Sequence, residues 1–214
     1  MTLNRNRRHH AERRRQMIAP AALLSRDPIA ARSLVGLAGL PTIVALGPFD
    51  DHEHADQLAL AFTAVRRRCN VQLVLLGAGT QRAAVLRRTF AHGVGASVHA
   101  VRFHSAELRM DFIAAADLVV PSPTSGLTAL IDVVAAGRPV VAQANPVTVR
   151  LLVPSSAGLV YRPRDVRGMA AALLRLLTRS GLRHRMAARA AEVARRHRQQ
   201  RIALRRSDEG NEYA

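Results

Sequence analysis

The sequence has few cysteines and aromatic residues, and it contains no long hydrophobic run. A single cysteine, Cys69, among 214 residues excludes an intrachain disulfide and any metal site built from several cysteines. Tryptophan is absent and aromatic residues make up 3%, so the side chains on which nucleic-acid bases stack are scarce. No apolar run approaches the ~18 residues that a transmembrane helix needs. We therefore expect a protein of a reducing compartment, the cytoplasm.

Lysine is also absent, and all 32 basic residues are arginine. The net charge of +17 is concentrated near the two ends, because residues 1–15 contribute +5 and residues 162–206 contribute +12. Basic segments of this kind bind nucleic acid or anionic membrane surfaces. Since both segments lack interleaved aromatic residues, we interpret them mainly as solvated surface and disfavour nucleic acid as a partner. Peripheral contact with an anionic membrane surface stays open as a hypothesis.

The composition supports one folded domain with basic or polar ends. Hydrophobic residues make up 49% of the chain and the mean hydropathy is +0.01, which allows a substantial buried core. We predict a basic, poorly ordered extension over residues 1–39, a folded domain over residues 40–198 and a polar tail over residues 199–214. A signal peptide is rejected, because the apolar stretch near the start is short and contains Pro20.

Strand and helix patterns alternate from residue 40 onwards. Continuous apolar runs predict six strands, at residues 42–47, 71–77, 97–103, 117–121, 138–142 and 158–161. Helical spacing predicts helices at residues 51–68, 80–92, 107–115, 125–136, 165–177 and 182–197. Continuously apolar strands are typical of parallel sheets that helices cover on both faces. The pattern therefore predicts an α/β fold with a doubly wound, Rossmann-like parallel sheet.

Ligands of such sheets bind beyond the carboxyl ends of the strands, near helix N-termini. The strand ends supply five candidates for the lining of a cleft, namely Gly47, Gly77, Gly79, Phe103 and His104. The segment from Gly77 to Gly79 begins the G-x-G-x-x-G pattern of dinucleotide-binding proteins, but Arg82 occupies the third glycine position. We therefore interpret these glycines as a tight turn between strand and helix.

A turn of small, hydroxylated residues, 122–126, precedes the apolar helix predicted at 125–136. Its backbone N–H groups would form a phosphate site at the positive end of the helix, and Thr124 or Ser125 could also be a simple N-cap. Asp132 interrupts the apolar pattern of the same helix, where an unpartnered carboxylate is costly. It is either a partly exposed helix residue or an acceptor for ribose hydroxyl groups, and we favour the second. The histidines show no metal-ligand spacing.

The chain from residue 43 to about 197 resembles the C-terminal, donor-binding half of GT-B glycosyltransferases, and more specifically the retaining group 1 family. The matching segments, in chain order, are IVALGPF (43–49), LVLLGAGTQR (73–82), ELRMDFIAAADLVVPSP (107–123), LTALIDVVAAGRPVVA (127–142) and AGLVYRPRDVRGMAAALLRLL (157–177). The resemblance implies a nucleotide diphosphate sugar as donor substrate, with no separate cofactor and no metal ion. It further implies that Asp132 holds the ribose and that the diphosphate is bound by Gly47, Thr124, Ser125, Gly126 and Leu127.

Four positions depart from the pattern of that family. Thr124 replaces the first acidic residue of the family's conserved pair. Pro48 and Glu53 replace the arginine and lysine that clamp the diphosphate, and Arg150 replaces an acidic residue beyond the fifth strand. A cationic clamp stabilises the diphosphate as it leaves, so its loss favours an inactive protein. In addition, only about forty residues precede Thr42, too few for a second Rossmann-like domain.

Two interpretations remain. The first is a glycosyltransferase, truncated or split, that transfers a sugar with retention and needs an acceptor-binding partner chain or self-association. The second is a catalytically inactive binding or scaffold protein on the same half-fold.

Overall fold

The computed structural model describes residues 27–37, 39–103 and 105–211, with side chains described as far as residue 196. These residues form six strands, β1 (Thr42–Leu46), β2 (Gln72–Leu76), β3 (Val98–Val101), β4 (Leu118–Pro121), β5 (Val140–Gln143) and β6 (Gly158–Tyr161). They also form the helices α1 (Pro28–Leu34), α2 (His52–Arg66), α3 (Arg82–Ala91), α4 (Ala106–Ala115), α5 (Leu127–Ala135), α6 (Pro146–Ser155), α7 (Val166–Thr178) and α8 (Ser180–Asn211).

The six strands form one parallel sheet in the order β3-β2-β1-β4-β5-β6. In the register of the central strand, Val44 lies opposite Val74 of β2 and Val119 of β4. The prediction of a doubly wound, Rossmann-like parallel sheet is therefore confirmed.

Two hydrophobic cores lie on opposite faces of the sheet. Ile43 and Ala45 face a core that includes residues of α2, α3 and α7. Val44 and Leu46 face a second core, to which α1, α4, α5 and α6 contribute. Every residue of β1 is buried, which explains why residues 43–46 are all apolar instead of alternating. Because α2 and α5 lie on opposite faces, the chain changes direction between β1 and β4, where such sheets form their ligand crevice.

Side-chain caps fix the N-termini of α2 and α4 at the carboxyl edge of the sheet. Asp51 caps α2 by accepting a hydrogen bond from the His54 N–H at 3.1 Å. Ser105 caps α4 through the Leu108 N–H at 3.1 Å. At the other end of α5, Gly137 adopts a φ of 66°, which suits glycine, and ends the helix as the sequence predicts.

Two helices were not predicted. Helix α1 lies inside the stretch expected to be poorly ordered, and that expectation is wrong for residues 28–34, because Asp27 caps the helix and buried Ala31 packs it onto the domain. Helix α6 begins with a capping box in which Asn145 and Thr148 bond each other's backbone. Residues 1–26 lie outside the described part of the chain.

The last helix is longer than predicted. Helix α8 runs from Ser180 to Asn211, so residues 199–211 of the predicted polar tail continue the helix. Within the part of the chain that the structure describes, no helix is both long and apolar enough to span a bilayer.

Candidate functional site

The turns after β1 and β2 are joined by backbone hydrogen bonds. The Phe49 N–H donates to the Ala78 carbonyl at 2.9 Å, and the Gln81 N–H donates to the Phe49 carbonyl at 2.7 Å. A Cβ at Gly79, whose φ is 147°, would overlap with the Phe49 backbone. Gly79 is therefore required by the packing of the two turns.

The same edge brings together three of the residues predicted to line a cleft. A Cβ at Gly77 would lie 3.4 Å from the Gly47 Cα and 3.8 Å from the ring of Phe103. The Phe103 side chain is partly exposed beside them. The fifth candidate, His104, lies outside the described residues. Arg82 donates from Nη1 to the Gly77 carbonyl at 2.9 Å, so its charge is used in closing the turn.

The turn between β4 and α5 corrects part of the predicted phosphate site. The Ser125 N–H donates to the Ser122 carbonyl at 2.9 Å, and the Thr124 N–H lies 3.4 Å from Ser122 Oγ. Both N–H groups are thus engaged inside the turn, where the sequence predicted them to be free for a ligand. The helix begins at Leu127 with Gly126 as its N-cap, so neither Thr124 nor Ser125 is the capping residue.

The free donors of this turn lie slightly further along the chain. The N–H groups of Gly126, Leu127 and Thr128 have no acceptor among the described residues, and no side chain caps the helix. Ser125 Oγ is buried and likewise has no partner there. Three N–H groups at the positive end of a helix, with a hydroxyl beside them, form a site suited to an anion. Thr128 was missed, because the predicted helix started two residues too early.

Asp132 is neither unpartnered nor fully exposed. Its Oδ2 accepts a hydrogen bond from Arg109 Nη1 of α4 at 2.7 Å, and the side chains are 24% and 19% exposed. Oδ1 has no hydrogen-bond partner among the described residues. Asp132 lies five residues beyond Leu127, roughly 8 Å along the helix axis from the free N–H groups at 1.5 Å per residue. The sequence analysis missed Arg109, because no local spacing connects it with Asp132.

Glu53, which stands where the family has a clamping lysine, forms an ion pair across the carboxyl edge. Arg164, between β6 and α7, donates from Nε and Nη2 to the two Glu53 oxygens at 2.8 and 2.6 Å. The hydrogen bond from Arg164 lowers the pKa of Glu53, which therefore carries its charge at neutral pH. The described part of the chain shows no group of three or more His, Cys, Asp or Glu side chains placed to hold a metal ion.

The sheet order and the layout of its carboxyl edge define a Rossmann-like half-domain of the GT-B type. The family model described as Glycosyl transferases group 1 matches residues 40–179. The chain therefore belongs to the group 1 glycosyltransferase family.

Three solved structures illustrate the similarity. Sucrose-phosphate synthase from Thermosynechococcus elongatus is 25% identical, with a TM-score of 0.72 over 89% of this chain and 50% of that one. The C-terminal domain of a group 1 family protein, LpcC, from Francisella tularensis is 17% identical, with a TM-score of 0.69 over 79% of this chain and 91% of that domain. Anabaena HepE, in complex with UDP and glucose, is 17% identical, with a TM-score of 0.69 over 88% of this chain and 53% of that one.

The chain thus spans about half the length of sucrose-phosphate synthase and of HepE. It covers nearly all of the separate C-terminal domain of LpcC. No curated protein sequence matches the chain.

Proposed function

We propose that this chain binds a nucleotide diphosphate sugar between β1 and β4 and acts as the donor half of a retaining glycosyltransferase. The observation that carries the proposal is the set of free N–H groups of Gly126, Leu127 and Thr128 at the start of α5, with Asp132 on the same helix. Membership of the group 1 family supports it, as does the UDP and glucose bound to HepE, which has the same fold.

The proposed roles follow from the hydrogen-bonding capacity of each group. The three N–H groups donate to the diphosphate, and Asp132 Oδ1 accepts from a ribose hydroxyl. Gly47 and Gly77 allow the turns after β1 and β2 to pack closely, and Phe103 lines the edge beside them.

In the transfer, the bond between the sugar C1 and the diphosphate oxygen breaks with its electron pair left on that oxygen. The acceptor oxygen forms the new bond to C1 on the same face and gives its proton to the leaving diphosphate oxygen. Donors aimed at the leaving oxygen stabilise the charge that develops there.

The acceptor side of the reaction requires a second body. Because the chain spans about half of two full-length relatives, we propose that an acceptor-binding domain, a partner chain or a second copy completes the cleft. Contact with an anionic membrane surface is supported by exposed arginines on α7, on α8 and between them, which include Arg167, Arg175, Arg179, Arg185 and Arg189.

One observation favours a second candidate, a nucleotide-binding protein without transfer activity. Glu53 occupies the place of a clamping lysine and pairs with Arg164, so the two charges cancel at this point of the edge. Arg82 is held by the Gly77 carbonyl. In this candidate the nucleotide binds, but the leaving diphosphate lacks the cations that would speed its departure.

The first test is calorimetric titration of the chain with UDP, GDP and ADP. At least one should bind with a millimolar or lower dissociation constant, and binding of none at millimolar concentration would refute the donor site. Leu127→Pro removes one N–H at the first helical position, which proline tolerates, and should weaken binding about tenfold. Leu127→Ala keeps the N–H and should bind as the parent chain does. Incubation with the nucleotide sugar then distinguishes the two candidates, because only the glycosyltransferase should release the sugar or transfer it.

A further inference from the structure

The Arg109–Asp132 ion pair connects the two helices that flank the proposed nucleotide crevice. Arg109 lies one turn into α4, whose N-terminus Ser105 fixes beside the end of β3. Asp132 lies in α5, whose N-terminus carries the free N–H groups. The 2.7 Å contact between Arg109 Nη1 and Asp132 Oδ2 therefore sets the position of the carboxylate relative to both helix ends.

The surroundings of this pair differ from those of the surface pairs. Arg109 and Asp132 are about four-fifths buried, and their chain neighbours Met110 and Val133 belong to the core. Because both side chains are mostly buried, the orientation of the carboxylate depends on its partner. By contrast, Arg195 and Glu192 on α8 form a pair of similar length with side chains 66% and 38% exposed.

The pair leaves one acceptor unused. Arg109 engages Oδ2 from one side, and Oδ1 has no hydrogen-bond partner among the described residues. We propose that Arg109 is a positioning residue that holds Asp132 with Oδ1 turned to a ribose hydroxyl of the bound nucleotide. This inference rests on the proposed function, and it makes Arg109 a determinant of the preference for ribose over deoxyribose.

The test compares UDP, GDP and ADP with their 2′,3′-dideoxy counterparts, titrated calorimetrically into the parent chain and into Arg109→Gln, Arg109→Lys and Asp132→Asn. The parent should prefer at least one ribonucleotide by about tenfold or more, the usual effect of a hydrogen bond to a charged group. Arg109→Gln and Asp132→Asn should each abolish this preference while binding the dideoxy diphosphate as tightly as the parent. Combining the two changes should weaken binding no further, and Arg109→Lys should restore part of the preference.

The matched control is Arg195→Gln, which breaks an ion pair of similar length away from the crevice and should leave both affinities unchanged. Thermal unfolding followed by circular dichroism identifies any variant that does not fold. If Arg109→Gln does not fold, the preference for ribose is compared between the parent chain and Arg109→Lys. Equal loss of both affinities in Arg109→Gln would overturn the inference and leave the donor site standing, as would an unchanged preference. Failure of every diphosphate to bind the parent would overturn the proposed function and the inference together.

Discussion

At the scale of single residues, His54 shows how burial sets the charge of a group near the carboxyl edge. Its side chain is 3% exposed, in the first turn of α2. Burial lowers the pKa of His54 to about 4, and the charge of Asp51 offsets only part of this effect. His54 is therefore neutral at physiological pH and out of reach of solvent, which argues against a role in proton transfer at the surface of the cleft.

We predict that this histidine makes folding stability dependent on pH. Its folded pKa is below the unfolded value of 6.5, so the unfolded chain binds more protons and stability falls as the pH falls from about 6.5 to about 4. At about 1.4 kcal/mol per unit of pKa, the loss reaches about 3 kcal/mol. Urea unfolding at pH 7.5 and 4.5 measures this loss of stability. His54→Gln should remove most of the contribution that comes from His54.

The control for this prediction is His92→Gln, which changes an exposed histidine at the end of α3 and should leave the pH dependence as it is. An equal pH dependence in His54→Gln and in the parent chain would show that His54 is not the group responsible.

At the scale of elements, Asp117 holds α1 and the first residues of β1 and β4 together. Its Oδ2 accepts hydrogen bonds from Arg32 Nη2 of α1 at 2.6 Å and from the Thr42 N–H at 2.8 Å. Arg183 Nε of α8 lies 3.7 Å from its Oδ1. One carboxylate thus connects two helices with the amino edge of the sheet.

We predict that Asp117→Asn lowers the free energy of unfolding by about 2 kcal/mol. The change removes the charge that two arginines share in a partly buried place, and breaking such a pair leaves its partners uncompensated. Urea denaturation of the two proteins measures the difference. Glu192→Gln, which breaks exposed pairs on α8, should cost less than about 0.5 kcal/mol. Equal effects of the two changes would contradict the assigned role of Asp117.

The sheet was predictable from the sequence because its strands are mostly apolar, with β3 and its exposed His99 the weakest case, and this pattern is visible without any knowledge of the tertiary contacts. Helix α6, which contains Pro146 and Pro154, was missed. Proline is in fact tolerated at the first helical position, which Pro146 occupies, and the capping box of Asn145 and Thr148 was visible in the sequence.

The candidate site was predictable only in part. The turn at residues 122–126 and Asp132 could both be singled out from the sequence, since a carboxylate in an apolar helix is a local signal, and their binding roles stay predictions. The sequence could not show that the N–H groups of Thr124 and Ser125 are hydrogen-bonded within the turn, because this depends on how the turn folds around Ser122. The partner of Asp132 comes from another helix, so only the packing of α4 against α5 reveals Arg109.

At the scale of the whole molecule, the main feature is the uneven distribution of positive charge along the chain. Of the net charge of +17, residues 162–206 carry +12, and most of this segment forms α7 and α8. On α7, Arg167 and Arg175 are exposed, and the exposed Arg179 follows directly after the last residue of that helix. Helix α7 contacts β5 and β6, at the end of the sheet away from β3.

We predict that the chain binds vesicles containing about one-third anionic lipid, and that it does not bind neutral vesicles. Each arginine near an anionic surface contributes about 1 kcal/mol, so Arg175→Gln with Arg179→Gln should weaken binding by about 2 kcal/mol, or about thirtyfold. Cosedimentation at 50 and 300 mM salt measures it, with weaker binding at the higher salt. Arg87→Gln with Arg102→Gln removes the same charge near β3 and should weaken binding less. Equal weakening by both pairs would show that net charge alone drives binding, without a defined face.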